Sequence, residues 1–134
     1  VAWSCPAEPH GIPAMLRKIL RAKIHRATVT DADLEYVGSI TIDRELMDAA
    51  GLAEGECVLV ANLANGTRHE TYVIEGPPGS GTICVNGAAA HLVNVGDKII
   101  IMCFGLLNDA DVADHRLRVV LVDDNNRVSR LLQS

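Results

Sequence analysis

A chain of 134 residues, 49% hydrophobic and 22% charged, has the size and composition that close one globular core. Its net charge of −5 argues against a phosphate-binding surface, which needs clustered Lys and Arg, and so against nucleic acid as a partner. The longest late apolar run, Ile99 to Phe104, has the length of a buried strand and is far too short to span a bilayer, so no membrane role is expected.

Residues 1–14 contain Pro6, Pro9 and Pro13 and lack apolar periodicity, so they read as a disordered leader or remnant, with Met15 as the original start. Residues 15–134 are taken as one domain. Cys5, Cys57, Cys84 and Cys103 form no CxxC pair and have no His at metal spacing, which predicts reduced structural thiols and no metal site. Without a secretory apolar segment at the start, a cytoplasmic protein is expected.

From Leu16 to Val29, the residues Ile24, Ala27 and Val29 with Thr28 and Thr30 favour extended chain over helix. The cations Arg17, Lys18, Arg21, Lys23 and Arg26 read as a solvated edge of that stretch. Thr30 or Asp31 then caps a short turn through Asp33-Leu34. A strand follows over Val37 to Ile42, interrupted at its start by Gly38-Ser39. Asp43 is a good N-cap for a short helix from Arg44 to Ala50, with Leu46, Met47 and Ala50 on one side and Gly51 as its stop.

Strands at Cys57 to Leu63 and Arg68 to Ile74 flank Asn65-Gly66, a strong hairpin signal. Gly76 to Gly81 is a tight loop, Thr82 to Val85 a strand, and Asn86-Gly87 a turn into the small residues Ala88, Ala89 and Ala90 before His91. Gly96-Asp97 leads into the Ile99 to Phe104 strand, and Leu117 to Val122 is the last clear one. Many short strands, frequent Gly turns and little helix predict an all-β fold, a compact barrel rather than an α/β sheet.

No GxGxxG, HExxH or GxSxG signature occurs. With aromatics at only 3% of the chain, the two tyrosines, Tyr36 and Tyr72, stand out in polar neighbourhoods. Several runs then fall in one order: Lys23-Ile24-His25-Arg26, Tyr36-Val37-Gly38-Ser39, Ile42-Asp43, Asp48-Ala49-Ala50, Asn65-Gly66, Arg68, Thr71-Tyr72, and Asn86-Gly87-Ala88-Ala89-Ala90-His91. In residue identity and spacing this series resembles the pyruvoyl-dependent aspartate decarboxylases, over roughly Met15 to Val122, and the resemblance fades after Asp123. The segment Val60-Ala61-Asn62 departs from it, with alanine where some relatives carry tryptophan.

The resemblance implies a six-stranded double-psi β-barrel with short helices, assembled as a homotetramer with active sites between subunits. It implies conversion of L-aspartate to β-alanine and carbon dioxide, supplying pantothenate and coenzyme A. The cofactor it implies is a covalent pyruvoyl group, made by autocatalytic cleavage at Gly38-Ser39 into residues 1–38 and 39–134. The unbroken chain through those residues fits either the uncleaved precursor or the parent of a processed pair, and the sequence does not indicate an accessory processing protein.

The cleavage has a physical rationale. A serine hydroxyl can attack the carbonyl just before it, and glycine permits the approach. The resulting ester is a better leaving group than an amide, so elimination across Ser39 and hydrolysis can leave a pyruvoyl group. By the same resemblance, the Thr71 hydroxyl stabilises the oxyanion of this step, and Tyr36, two residues before Gly38, is close enough to shape the cleavage loop. The pyruvoyl carbonyl takes the substrate amine as a Schiff base and accepts the electrons released with carbon dioxide. Arg68 corresponds to a fork for the carboxylate that stays, Lys23 to a second cation, and Tyr72 to the proton donor that follows. Asn86, Gly87, Ala88 and Ala89 line the pocket. Two rivals stand beside this reading: a non-catalytic barrel module, opposed by the acidity and by Lys23, Arg68 and Tyr72, and a related substrate such as glutamate.

Overall fold

The computed structural model describes residues 15–133, so the leader expected over residues 1–14, and Cys5 with it, lies outside the described residues. Strand β1 (Leu16–Thr28) is extended as its β-branched residues predict, burying Ala22, Ile24 and Ala27 while most of its cations stay at least partly in water. Arg26 takes a left-handed φ of 65° where the pairing slips between Ile24 and Ala27, the mark of a bulge.

Thr30 does not cap a turn. Its hydroxyl donates to the Ile83 carbonyl and accepts from the Ile83 amide, at 3.1 and 2.9 Å, and β2 (Asp31–Asp33) follows instead. The turn begins one step later, at Leu34, where Asp33 accepts from the Glu35 amide at 3.0 Å. Strand β3 (Ser39–Asp43) then leads into α1 (Arg44–Ala50), which matches the expected helix end to end. Asp43 caps the Glu45 amide, Leu46, Met47 and Ala50 are buried, and Gly51 stops the helix at a φ of 76°.

β4 (Cys57–Asn62) and β5 (Arg68–Gly76) form the expected hairpin, antiparallel from Cys57 opposite Tyr72 to Ala61 opposite Arg68. After β6 (Ile83–Asn86), Gly87–Leu92 coils as a 3₁₀ segment. β7 (Lys98–Asn108) runs four residues past the expected end because the first half of β1 pairs with it there, Leu16 opposite Asn108. A second 3₁₀ segment, Asp109–Asp114, precedes β8 (Arg118–Val122). The tail adds a strand that the sequence did not predict, β9 (Val128–Gln133), antiparallel to β8.

The nine strands hydrogen-bond in the order β2-β6-β3-β5-β4-β7-β1-β8-β9. Three neighbouring pairs, β2 with β6, β3 with β5 and β1 with β8, are parallel, and the others are antiparallel. The fold is thus mainly β, as expected. One core forms inside these strands from Ile24, Ile40, Ile42, Val58, Val60, Val73, Ile83, Val85, Ile99, Ile101 and Val120 with the buried side of α1. Among the described residues no helix is long and apolar enough to cross a membrane.

Candidate active site

Ser39 opens β3 directly opposite Asn86, the last residue of β6. Both are polar and both are buried, at 1% and 3% exposure, so each must find partners inside the protein. The Ser39 hydroxyl donates to the Val37 carbonyl at 3.1 Å. Asn86 Nδ2 donates to Ser39 Oγ at 3.0 Å and to Thr41 Oγ1 at 3.1 Å, and its Oδ1 accepts from the Cys84 thiol at 3.1 Å. Strand alternation explains the grouping. Ile40, Ile42, Ile83 and Val85 face the core, which leaves Ser39, Thr41, Cys84 and Asn86 together on the other face of the β3–β6 pair.

Gly87 seals the site from the side. Its φ of 76° suits glycine, and a Cβ there would lie 2.6 Å from Gly38 Cα, 2.9 Å from Gly38 N and 3.4 Å from the Tyr36 carbonyl oxygen. A Cβ on Gly38 would instead meet nothing within 4 Å, so local packing depends on the missing side chain of Gly87 rather than of Gly38. Tyr36 and Val37 are exposed, at 51% and 70%, so the segment before the Gly38-Ser39 bond faces solvent while Ser39 does not.

The other expected site residues are placed on neighbouring strands. β5 runs parallel to β3 with Val73 level with Ile40, both core residues. One step back, Ser39 and Tyr72 therefore fall on the same outer face of that pair. Thr71, half-buried, takes the inward face with His69 and Val73. Arg68 and Glu70 share the outer face with Tyr72. Arg68 is exposed opposite Ala61, and Lys23 lies between Met102 and Val119; neither side chain has an ion pair or hydrogen bond among the described residues. Ala88 is exposed and Ala89 half-buried in the 3₁₀ segment. The structure thus brings Gly38, Ser39, Asn86 and Gly87 together, with the Tyr36 backbone beside them, and holds Thr71, Tyr72, Arg68 and Lys23 on β5 and β1.

Thr41 and Cys84 were missed in the sequence, although each sits two residues from an assigned site residue on the same strand face, a spacing that could have found them. Two histidines on β1 and β5 carry buried ring nitrogens without partners, Nδ1 of His25 and Nε2 of His69. Burial holds both below the ordinary histidine range, with Lys23 and Arg26 adding to the effect at His25. Among the described residues no group of His, Cys, Asp or Glu is gathered to hold a metal.

Comparison with known proteins shows the family. A family described as aspartate decarboxylase matches residues 15–129, seven residues beyond Val122 and into β9. The chain is 61% identical over 117 residues to a Caldicellulosiruptor saccharolyticus protein named aspartate 1-decarboxylase, covering 87% of this chain and 91% of that one. It is 53% identical over 118 residues to a Bacillus cereus protein of the same name, covering 88% and 93%. A Corynebacterium efficiens protein, also so named, is 58% identical over 117 residues, covering 87% and 86%. A mainly β protein with a buried serine at a Gly-Ser junction and relatives of this kind is an enzyme, a decarboxylase of the carboxy-lyase class. The chain belongs to the aspartate decarboxylase family.

Proposed function

We propose that this enzyme decarboxylates L-aspartate to β-alanine, using a pyruvoyl group that it makes from Ser39. The observation that carries the reading is the Ser39 hydroxyl, buried and hydrogen-bonded immediately after Gly38. The name shared by the relatives supplies the substrate. The residues present fit such a group, because it arises from the chain itself and Asn86 Nδ2 already stands 3.0 Å from the Ser39 oxygen as a donor.

In the cleavage, Ser39 Oγ adds to the Gly38 carbonyl carbon, the C–N bond breaks, and the hydroxyl proton ends on the Ser39 nitrogen. Elimination then removes the Ser39 Cα proton and breaks the Cβ–O bond, releasing a carboxylate at Gly38 and a dehydroalanine, and water converts the dehydroalanine to the pyruvoyl group with loss of ammonia. The resemblance gives Thr71 the oxyanion of the first step, a role that requires its inward-facing hydroxyl to turn toward Gly38, and Tyr36 shapes the loop that presents Gly38. When present, the pyruvoyl group supplies an electron-accepting carbonyl for decarboxylation. Around it, Arg68 and Lys23 hold the carboxylate that is retained, Tyr72 returns a proton to carbon, and Asn86 with Gly87, Ala88 and Ala89 bounds the pocket.

The same proposal covers the finer architecture. Mixed parallel and antiparallel pairs around one core support a double-psi barrel formed by residues 15–134 as one domain. A homotetramer with shared sites is supported by the unpartnered Arg68 and Lys23 side chains and by exposed apolar side chains where the start of β1 pairs with the end of β7, Leu16 at 51% and Leu106 at 66%. Cytoplasmic action in pantothenate synthesis completes the reading.

Intact mass after prolonged warm incubation of the full chain tests it. Two fragments divided between Gly38 and Ser39, the larger shifted by borohydride, with release of β-alanine from L-aspartate, are expected. A single full-length mass throughout would overturn self-cleavage, and glutamate turned over faster than aspartate would overturn the substrate.

A further inference from the structure

The Asn86 amide is held from both ends. Ser39 has one hydroxyl proton and gives it to the Val37 carbonyl, so toward Asn86 that oxygen accepts. This fixes Nδ2, the donor end, on the Ser39 side at 3.0 Å. The other Nδ2 hydrogen goes to Thr41 Oγ1 at 3.1 Å, and on the opposite side the Cys84 thiol donates to Oδ1 at 3.1 Å. The register that places Ser39 opposite Asn86 also places Thr41 opposite Cys84, so the four side chains form a closed set on one strand face. Burial, with the charges of Asp31 and Asp33, pushes the Cys84 thiol up, which keeps it protonated and a donor.

We infer that Thr41 and Cys84 are positioning residues that lock the Asn86 amide with its NH2 group on the Ser39 hydroxyl oxygen. An N–H aimed at that oxygen stabilises the negative charge it carries once its proton leaves and before it adds to the Gly38 carbonyl, when the charge passes to the carbonyl oxygen. A flipped amide would present Oδ1 instead, an acceptor that repels the same charge. Without Thr41 Oγ1 one Nδ2 hydrogen is left bare in a buried place, and without the Cys84 proton nothing holds Oδ1 away from Ser39. The inference rests on the reading of Ser39 as the cleavage nucleophile.

The test follows fragment formation by mass in the full-length chain, alongside the melting temperature. Thr41→Val keeps the side-chain shape and removes the acceptor, and Cys84→Ala removes the donor. Each is expected to slow cleavage about three- to tenfold, the net value of one hydrogen bond, while the melting temperature moves little. Thr41→Ser and Cys84→Ser keep the polar atoms and are expected to restore the rate. They also guard against a truncated variant that fails to fold. The Thr41→Val/Cys84→Ala pair should be slowed no further than Asn86→Ala, because all three act through one amide. Unchanged rates in Thr41→Val and Cys84→Ala, or slowing that the serine variants do not relieve, would overturn the inference and leave the proposed function standing. An unmodified chain that never cleaves would overturn both.

Discussion

The contact between Gly87 and Gly38 shows how much of this site rests on single atoms. The Asn86-Gly87 dipeptide is legible in the sequence as a turn that the resemblance places along the pocket, but not as a contact with the cleavage loop. In the fold the approaching group is Gly38, brought there because Asn86 pairs with Ser39. Gly87→Ala would set a methyl 2.6 Å from Gly38 Cα at a φ of 76°, and since the atoms it meets are backbone, the cleavage loop must move. A loss of about 1–3 kcal/mol in folding stability is expected, read from denaturant unfolding, together with slower fragment formation. Gly38→Ala, with nothing within 4 Å of its Cβ, is expected to unfold near the native midpoint. Equal midpoints for native and Gly87→Ala chains would show that the loop yields freely and the close approach is unimportant.

Elements whose signals are local were the legible ones. Asp43, the 3.6-residue spacing of Leu46, Met47 and Ala50, and Gly51 lie within nine positions, and the Asn65-Gly66 hairpin is equally compact. β2 and the far end of β7 were not legible because distant partners, β6 and the start of β1, define them, whereas β9 pairs with its neighbour β8. β9 is exposed along its whole length, so no apolar alternation marks it. The tail is nonetheless anchored by buried Asn126, at a left-handed φ of 59°. Its Nδ2 donates to the Thr28 and Gly81 carbonyls and its Oδ1 accepts from the Thr28 amide, each at 2.8 Å. Asp43 likewise does more than cap α1, since its carboxylate also accepts from the Gly79 and Gly81 amides at 2.9 and 2.7 Å. Asp43→Ala would bare three backbone donors around a buried position, and about 3 kcal/mol of stability should be lost. Urea unfolding of the two chains measures this, and a loss near 1 kcal/mol would reduce Asp43 to an ordinary cap.

At the scale of the whole molecule, acid should weaken the fold before its carboxylates titrate. His25 and His69 each carry a buried ring nitrogen with no partner, and burial holds both below the ordinary value of 6.5. The unfolded chain therefore binds protons at these positions first as pH falls through 6.5, so stability is full above that value and declines below it. The ion-paired Glu56, held low by the Ala53 amide and Arg21 against the opposing effect of burial, responds only at lower pH still, below the ordinary glutamate value of 4.5. A fall in melting temperature between about pH 7.5 and about pH 5.5 thus reports the histidines rather than the carboxylates. His69 faces inward opposite Val60, an apolar setting in which phenylalanine suits the space without a titrating nitrogen. His69→Phe is expected to shrink the fall in melting temperature over that range, leaving the part that belongs to His25 beside Lys23 and Arg26. A native chain with the same melting temperature at both pH values would mean that the two ring nitrogens accept protons as readily folded as unfolded. An undiminished fall in His69→Phe would assign the whole effect to His25 and to the charges around it.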